Sequence, residues 1–217
     1  MAVPAMNRHL HGLGATLLIL ASAGLAWYGQ PDPDEKWTFL AAELGPRLSN
    51  REVQIEPAEL MDLMHDDYID LRLIDLRNER DWNLFHLWGA ERISPEQLPG
   101  LHRRFANLGE NAVIVLVGND EAVATRAWQV LMATASRPNA YILAGGINRW
   151  LDEFAPGHAA AAHADNAPAD ETLRHSFEWA MGSRHPAALP DPHHAQAREF
   201  SMKVKLQKKV VKKGGCG

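Results

Sequence analysis

The chain has 217 residues, 46% hydrophobic and 23% charged, which is enough apolar material for a buried core and too much for an intrinsically disordered protein. The formal net charge is −5, yet six lysines (Lys203, Lys205, Lys208, Lys209, Lys212 and Lys213) lie in the last fifteen residues, which hold no acid. Without them 16 basic residues face 27 acidic ones, so an acidic body of charge −11 carries a basic tail. A single cysteine, Cys216, excludes an internal disulfide.

The N-terminus contains no Asp, Glu, Lys, Arg or His from Gly12 to Pro31. Gly12 to Tyr28 is a mostly apolar run of 17 residues, near the lower limit for spanning a bilayer. Arg8, His9 and His11 precede it, and Asp32, Asp34 and Glu35 follow. This pattern predicts a signal anchor over residues 1–29, with a transmembrane helix through residues 12–28 and Trp27 and Tyr28 at the interface. The expected location is the inner membrane, single-pass, with the body in the periplasm or outside the cell. The alternative is a signal peptide cleaved near Ala21–Ala23, giving a secreted or periplasmic protein. Either export route makes nucleic acid an unexpected partner and an exported protein the expected one.

Residues 30–50 read as a spacer with a short helix, "EKWTFLAAELGP", stopped by Gly45 and Pro46. From residue 51 to 155 strands and helices alternate. Strands are predicted at "VQI", "LRLIDLR", "AERI", "AVIVLV" and "AYIL", and a helix starts at Pro57 with Leu60, Leu63 and Met64 on one face. Further helical stretches read at "NERDWNLFH", "PEQLPGLHRRFANL", "AVATRAWQVLMATA" and after the double glycine of "AYILAGGINRWLDEF". The fold class is therefore α/β, an open, mainly parallel five-stranded sheet with helices on both faces. Residues 156–217 read as a low-complexity linker, a short amphipathic helix and a flexible basic tail ending in GGCG. That helix is expected over "DETLRHSFEWAMG", capped by Asp170, pairing Leu173 with Phe177 and ending at Gly182.

Three segments carry a resemblance. In "LIDLRNERDWNLFHLWGAERI", Asp75, Arg77, Asp81, Trp82, His86, Gly89, Ala90 and Ile93 follow a strand that ends in Asp-x-Arg. "AVIVLVGNDEAVATRAW" is a strand, a loop and a helix, and "YILAGGINRW" holds Gly145, Gly146 and Trp150. Together, over about Val53 to Ala155, they resemble the rhodanese-like domain family. Asp75 and Arg77 suit a brace at a buried strand end. Gly89, Gly145 and Gly146 suit tight turns, Trp150 suits the core, and His86 reads as a loop-fixing histidine before a catalytic base.

In the family's active members a cysteine opens the loop after the fourth strand, and backbone N–H groups surround its thiolate or persulfide. The resemblance places Gly118 at that position, or Val117 or Asn119 if the alignment slips by one residue, and none of the three carries a thiol. The candidate binding loop is Gly118, Asn119, Asp120, Glu121, Ala122 and Val123, whose two acids oppose anionic sulfur donors and suit a basic partner or a cation. The expected function is a membrane-tethered binding or regulatory module without classical sulfurtransferase activity. The alternative is sulfur-transfer or thiol-redox chemistry at Cys216, whose lysine neighbours would lower its pKa. No cofactor is implied. Six of the eleven histidines follow residue 155, but their spacing matches no standard site and no metal is expected. The alternation in "KVKLQKKVV" also suits strand addition at a sheet edge or an acidic surface.

Overall fold

The computed structural model describes residues 15–16, 18–24, 29, 31–135, 138–155, 172–193 and 199–206. Helix α1 (Pro33–Ser49) leads into strand β1 (Gln54–Ile55) and helix α2 (Pro57–Met64). Then follow β2 (Asp70–Asp75), α3 (Glu79–Leu84), β3 (Glu91–Arg92), a 3₁₀ segment (Pro95–Leu101) and α4 (His102–Ala106). β4 (Ala112–Val117), α5 (Ala122–Thr134), β5 (Ala140–Leu143) and α6 (Gly146–Phe154) complete the alternation. The sheet order is β1-β5-β4-β2-β3 and every pairing is parallel, as the sequence predicts.

Strand β4 sits at the centre because both its faces are apolar. All six of its residues are buried, and each large aliphatic side chain there contributes about 1.5–3 kcal/mol. On one face Leu60 and Met61 of α2 and Ile147, Trp150 and Leu151 of α6 cover the sheet. On the other, Leu44 of α1, Phe105 of α4 and Trp128 and Leu131 of α5 do so. Both faces need these covers, since β strands of this composition leave no polar side to water.

The expected transmembrane helix is not borne out. Among the described residues no helix is long and apolar enough to cross a membrane. Residues 12–14, 17 and 25–28 of the expected span lie outside the described residues.

Helix α1 also differs from expectation, for it runs through Gly45 and Pro46 to Ser49. Asp32 and Glu35 form a capping box at its start, with Pro33 at the first position. An interior proline costs about 3 kcal/mol in an isolated helix. Here Leu44 is buried, Leu40 and Leu48 pack beside it, and Trp37 meets Trp128 edge-on at 6.0 Å, so tertiary packing overrides the local stop signal. The helix ends where Arg51 turns left-handed, at φ 56°.

No helix forms over the described part of "DETLRHSFEWAMG"; residues 172–182 follow an irregular course, and Asp170 lies outside the described residues. Asn148, fully buried in the first turn of α6, explains the difference. Its Nδ2 donates to Thr172 O at 2.9 Å and its Oδ1 accepts Arg174 N at 2.7 Å, so the segment's backbone is held in a non-helical register. Leu173 then inserts into the α6 side of the core. The chain continues past Phe85, which stacks on Phe177 at 5.2 Å, to Ala187, whose carbonyl accepts Trp150 Nε1 at 2.6 Å. The basic tail is not wholly free of the body, because Val204 is buried in the same cluster. The linker, at 156–171, and Cys216 lie outside the described residues.

Candidate functional site

The C-terminal ends of the parallel strands are where an open α/β sheet builds its site. β2 ends there in Asp75, and Arg77 folds back on it. Arg77 Nη2 donates to Asp75 Oδ2 at 2.6 Å and Nε donates to Oδ1 at 2.9 Å, with both side chains 1% exposed. The same Nη2 donates to Phe85 O at 2.7 Å, and Nη1 reaches Asn119 Oδ1 at 3.4 Å. A buried ion pair is tolerable only when its remaining donors find partners, and these do. The pair thus ties the end of β2 to Phe85 and to the loop after β4.

That loop is closed on itself. Asn119 is 2% exposed, and its Nδ2 donates to Asp81 Oδ2 at 2.7 Å. Gly118 O accepts Ile147 N at 2.9 Å and Asn119 O accepts Asn148 N at 3.1 Å, so two loop carbonyls meet the first turn of α6. Gly145 and Gly146 adopt φ of 68° and 59°, and a Cβ on Gly146 would lie 2.5 Å from Asn119 O. The double glycine is thus required by the loop it faces.

Both acids, each part-exposed, face arginines of the chain itself. Glu121 takes both guanidinium nitrogens of Arg51, at 2.7 and 3.2 Å, and also accepts Gly145 N at 2.8 Å. Burial pushes the Glu121 carboxyl up, but Arg51, the Gly145 N–H and the nearby Arg149 charge together hold it below the ordinary carboxylate range. Asp120 faces Arg174 at 3.6 Å. Ala122 and Val123 form the first turn of α5, Val123 packing against the core. The roles of Arg51, Asn148 and Arg174 were not legible in sequence, since Arg51 lies 70 residues from the glutamate it holds.

Position 118 leaves little room for a side chain. A Cβ built on Gly118 would lie 2.7 Å from the carbonyl oxygen of Asp120. The same Cβ would lie 3.8 Å from Ala124 N, so a side chain there would crowd a carbonyl oxygen before it reached that backbone nitrogen. His86 stands apart from this network. Its ring stacks on Trp82 at 3.7 Å, its Nδ1 lies 2.8 Å from Trp82 O, and Gly182 covers its edge. Gly89, at φ 74°, makes the turn before β3.

Residues 56–153 match the family model of the rhodanese-like domain. This part of the chain is a rhodanese-like domain. Among solved structures the chain is similar to a thiosulfate sulfurtransferase from Pseudomonas aeruginosa at 23% identity, covering 46% of this chain and 18% of that one with a TM-score of 0.39. It is similar to a rhodanese-like domain protein from Staphylococcus aureus at 18% identity, covering 45% and 89% of the two chains, TM-score 0.39. A rhodanese-like domain from Anabaena matches at 20% identity over 58% of this chain and 97% of that one, TM-score 0.39. No curated protein matches the chain. The rhodanese-like domain matched by the family model begins after α1 and ends before residue 172, so α1 and the segment from Thr172 onward are additions that pack onto it.

Among the described residues no group of three or more His, Cys, Asp or Glu is placed to hold a metal ion. The chemistry that the loop can perform is set by what it contains: an amide, two arginine-paired carboxylates and no nucleophile.

Proposed function

We propose that this rhodanese-like domain acts as a binding module and that its β4–α5 loop transfers no sulfur. Sulfur transfer from thiosulfate needs a thiolate that takes the outer sulfur as a persulfide and releases sulfite. The loop has no thiol, and the observation that carries the reading is the Asp120 carbonyl lying across position 118, where an N–H-lined cavity is needed. The polar groups of the loop serve instead to join β2, α3, α6 and the exit of α1. Function lives in sites carried by a fold, and a fold is kept when its site has changed.

The test is a thiosulfate:cyanide assay on the whole chain beside Cys216→Ser. The expected result is no turnover in either. Turnover that survives Cys216→Ser places chemistry in the folded domain and overturns the proposal. Turnover lost in Cys216→Ser assigns the chemistry to the tail thiol, the second way in which this chain can handle sulfur.

A further inference from the structure

Helix α2 carries acids along the face that meets segment 199–206. Glu59 and Asp62 stand on the helix, and Asp66 follows in the turn that closes it, where Asp66 N donates to Leu63 O at 3.4 Å. Residues so spaced share one side of a helix. At 1.5 Å per residue their carboxylates step along it at intervals of about 4.5 and 6 Å. All three residues line one groove of about 550 Å³ between α2 and segment 199–206.

None of the three carboxylates is ion-paired among the described residues. Glu59 is 1% exposed, and its Oε1 accepts Lys203 N at 2.7 Å and Val204 N at 2.8 Å. Its Oε2 has no hydrogen-bond donor among the described residues. A buried carboxylate oxygen without a donor is an unfavourable state that a nearby cation relieves. Asp62 and Asp66 are exposed, and Asp66 Oδ1 accepts Tyr68 N at 2.9 Å. Lys205 is the one basic residue in the described lining, while Lys203 turns its ammonium to Gln54 O at 2.6 Å. Leu63, Ile69 and Met202 supply apolar lining between the acids, and Met202 is left 72% exposed. The acids are strung out rather than convergent, and no metal-holding group of three forms among the described residues.

We propose that the groove binds a free linear polyamine, its ammonium groups at the three carboxylates and its methylene spacers on Leu63, Ile69 and Met202. Spacing selects this class. Ammonium groups joined by three or four methylenes, at about 1.5 Å per bond in a zigzag, stand about 5–6 Å apart, as the acids do. A divalent metal ion needs oxygen ligands that converge on one point, which acids strung along a helix do not give. A monoamine meets one carboxylate and leaves the others without a counter-charge. The alternation of charge and methylene in a polyamine also matches the alternation of acid and apolar side chain in the lining. The site lies on the α2 face, apart from the β4–α5 loop, so its failure leaves the reading of that loop untouched.

The test is calorimetric titration of the full chain with spermidine, beside butylamine, Mg²⁺ and a lysine-rich peptide. The expected result is one spermidine per chain, bound about tenfold or more tightly than butylamine and not displaced by an equal concentration of Mg²⁺. Glu59→Gln keeps an oxygen for Lys203 N and Val204 N but removes the charge. Asp62→Asn/Asp66→Asn removes the other two charges at exposed positions, where the fold tolerates the change, as a matching thermal melt confirms. Each variant is expected to weaken spermidine binding about tenfold or more. Glu96→Gln, at an exposed acid of the 3₁₀ segment, is the control and leaves it unchanged. Binding that ignores the groove variants, or that Mg²⁺ abolishes, belongs to the acidic surface at large and overturns the proposal. So does an absence of binding, or a lysine-rich peptide that outcompetes spermidine and gives the groove to a partner protein.

Discussion

Gly146 lies against Gly118 so closely that a Cβ on Gly146 would come within 2.6 Å of the Gly118 carbonyl oxygen. The contact is backbone to backbone, so no side-chain rotation relieves it. Gly146→Ala meets both that clash and a left-handed φ of 59°. The expected loss is about 1–3 kcal/mol of folding stability, measured by urea denaturation. An unchanged midpoint and slope would show that the loop yields, and that it does not hold α6.

The place of the central strand follows from features the sequence displays openly. "AVIVLV" has no polar side, so it belongs at the centre, and the Asp75-x-Arg77 pair lies at a strand end where a brace is useful. What stayed hidden is what depends on distant partners. Pro46 reads as a stop signal until Trp37, Leu44 and Leu48 are seen against α5. "DETLRHSFEWAMG" has helical spacing, but Asn148 takes the backbone at Thr172 and Arg174. Asp120 and Glu121 read as open charge because Arg51 and Arg174 lie far away in sequence. Apolar periodicity reports which residues must be covered, and it cannot report which polar groups will meet.

Restoring a thiol at the loop tests whether only the nucleophile is missing. Gly118→Cys, in a Cys216→Ser background, places a Cβ 2.7 Å from Asp120 O. The expected outcome is no gain of sulfur by intact mass after incubation with thiosulfate, and a destabilisation of about 1–3 kcal/mol from the forced contact. A persulfide on the introduced thiol would show that the loop reopens once a nucleophile is present.

The Arg51–Glu121 pair gives the loop a defined acid response. The Glu121 carboxyl lies below its ordinary value of 4.5 in the folded chain. Its contribution is therefore fully present above the ordinary value and is lost as the pH falls through the depressed one. Stability measured by urea from pH 7 to 3 is expected to show a shallower acid decline in Glu121→Gln than in the parent. Parallel declines would mean that other carboxylates set the acid limb.

The segment beyond the matched domain is part of its core. Leu173 is buried, Trp150 gives its indole N–H to Ala187 O at 2.6 Å, and Glu59 holds Lys203 and Val204 by their backbone N–H groups. Ending the chain at Ala155 uncovers Trp150 and Phe85 and removes the two backbone N–H donors of the Glu59 carboxylate. The truncated chain is expected to melt at a lower temperature and to bind a hydrophobic dye, since newly exposed aromatic surface is sticky. Asn148→Ala isolates one fastening within the full chain. It removes an acceptor and a donor at Arg174 N and Thr172 O, at about 0.5–1.5 kcal/mol for each bond. Amide exchange is then expected to quicken at Arg174 while the β4 amides stay protected. Equal protection at Arg174 in parent and variant would show that Leu173 alone holds the segment down.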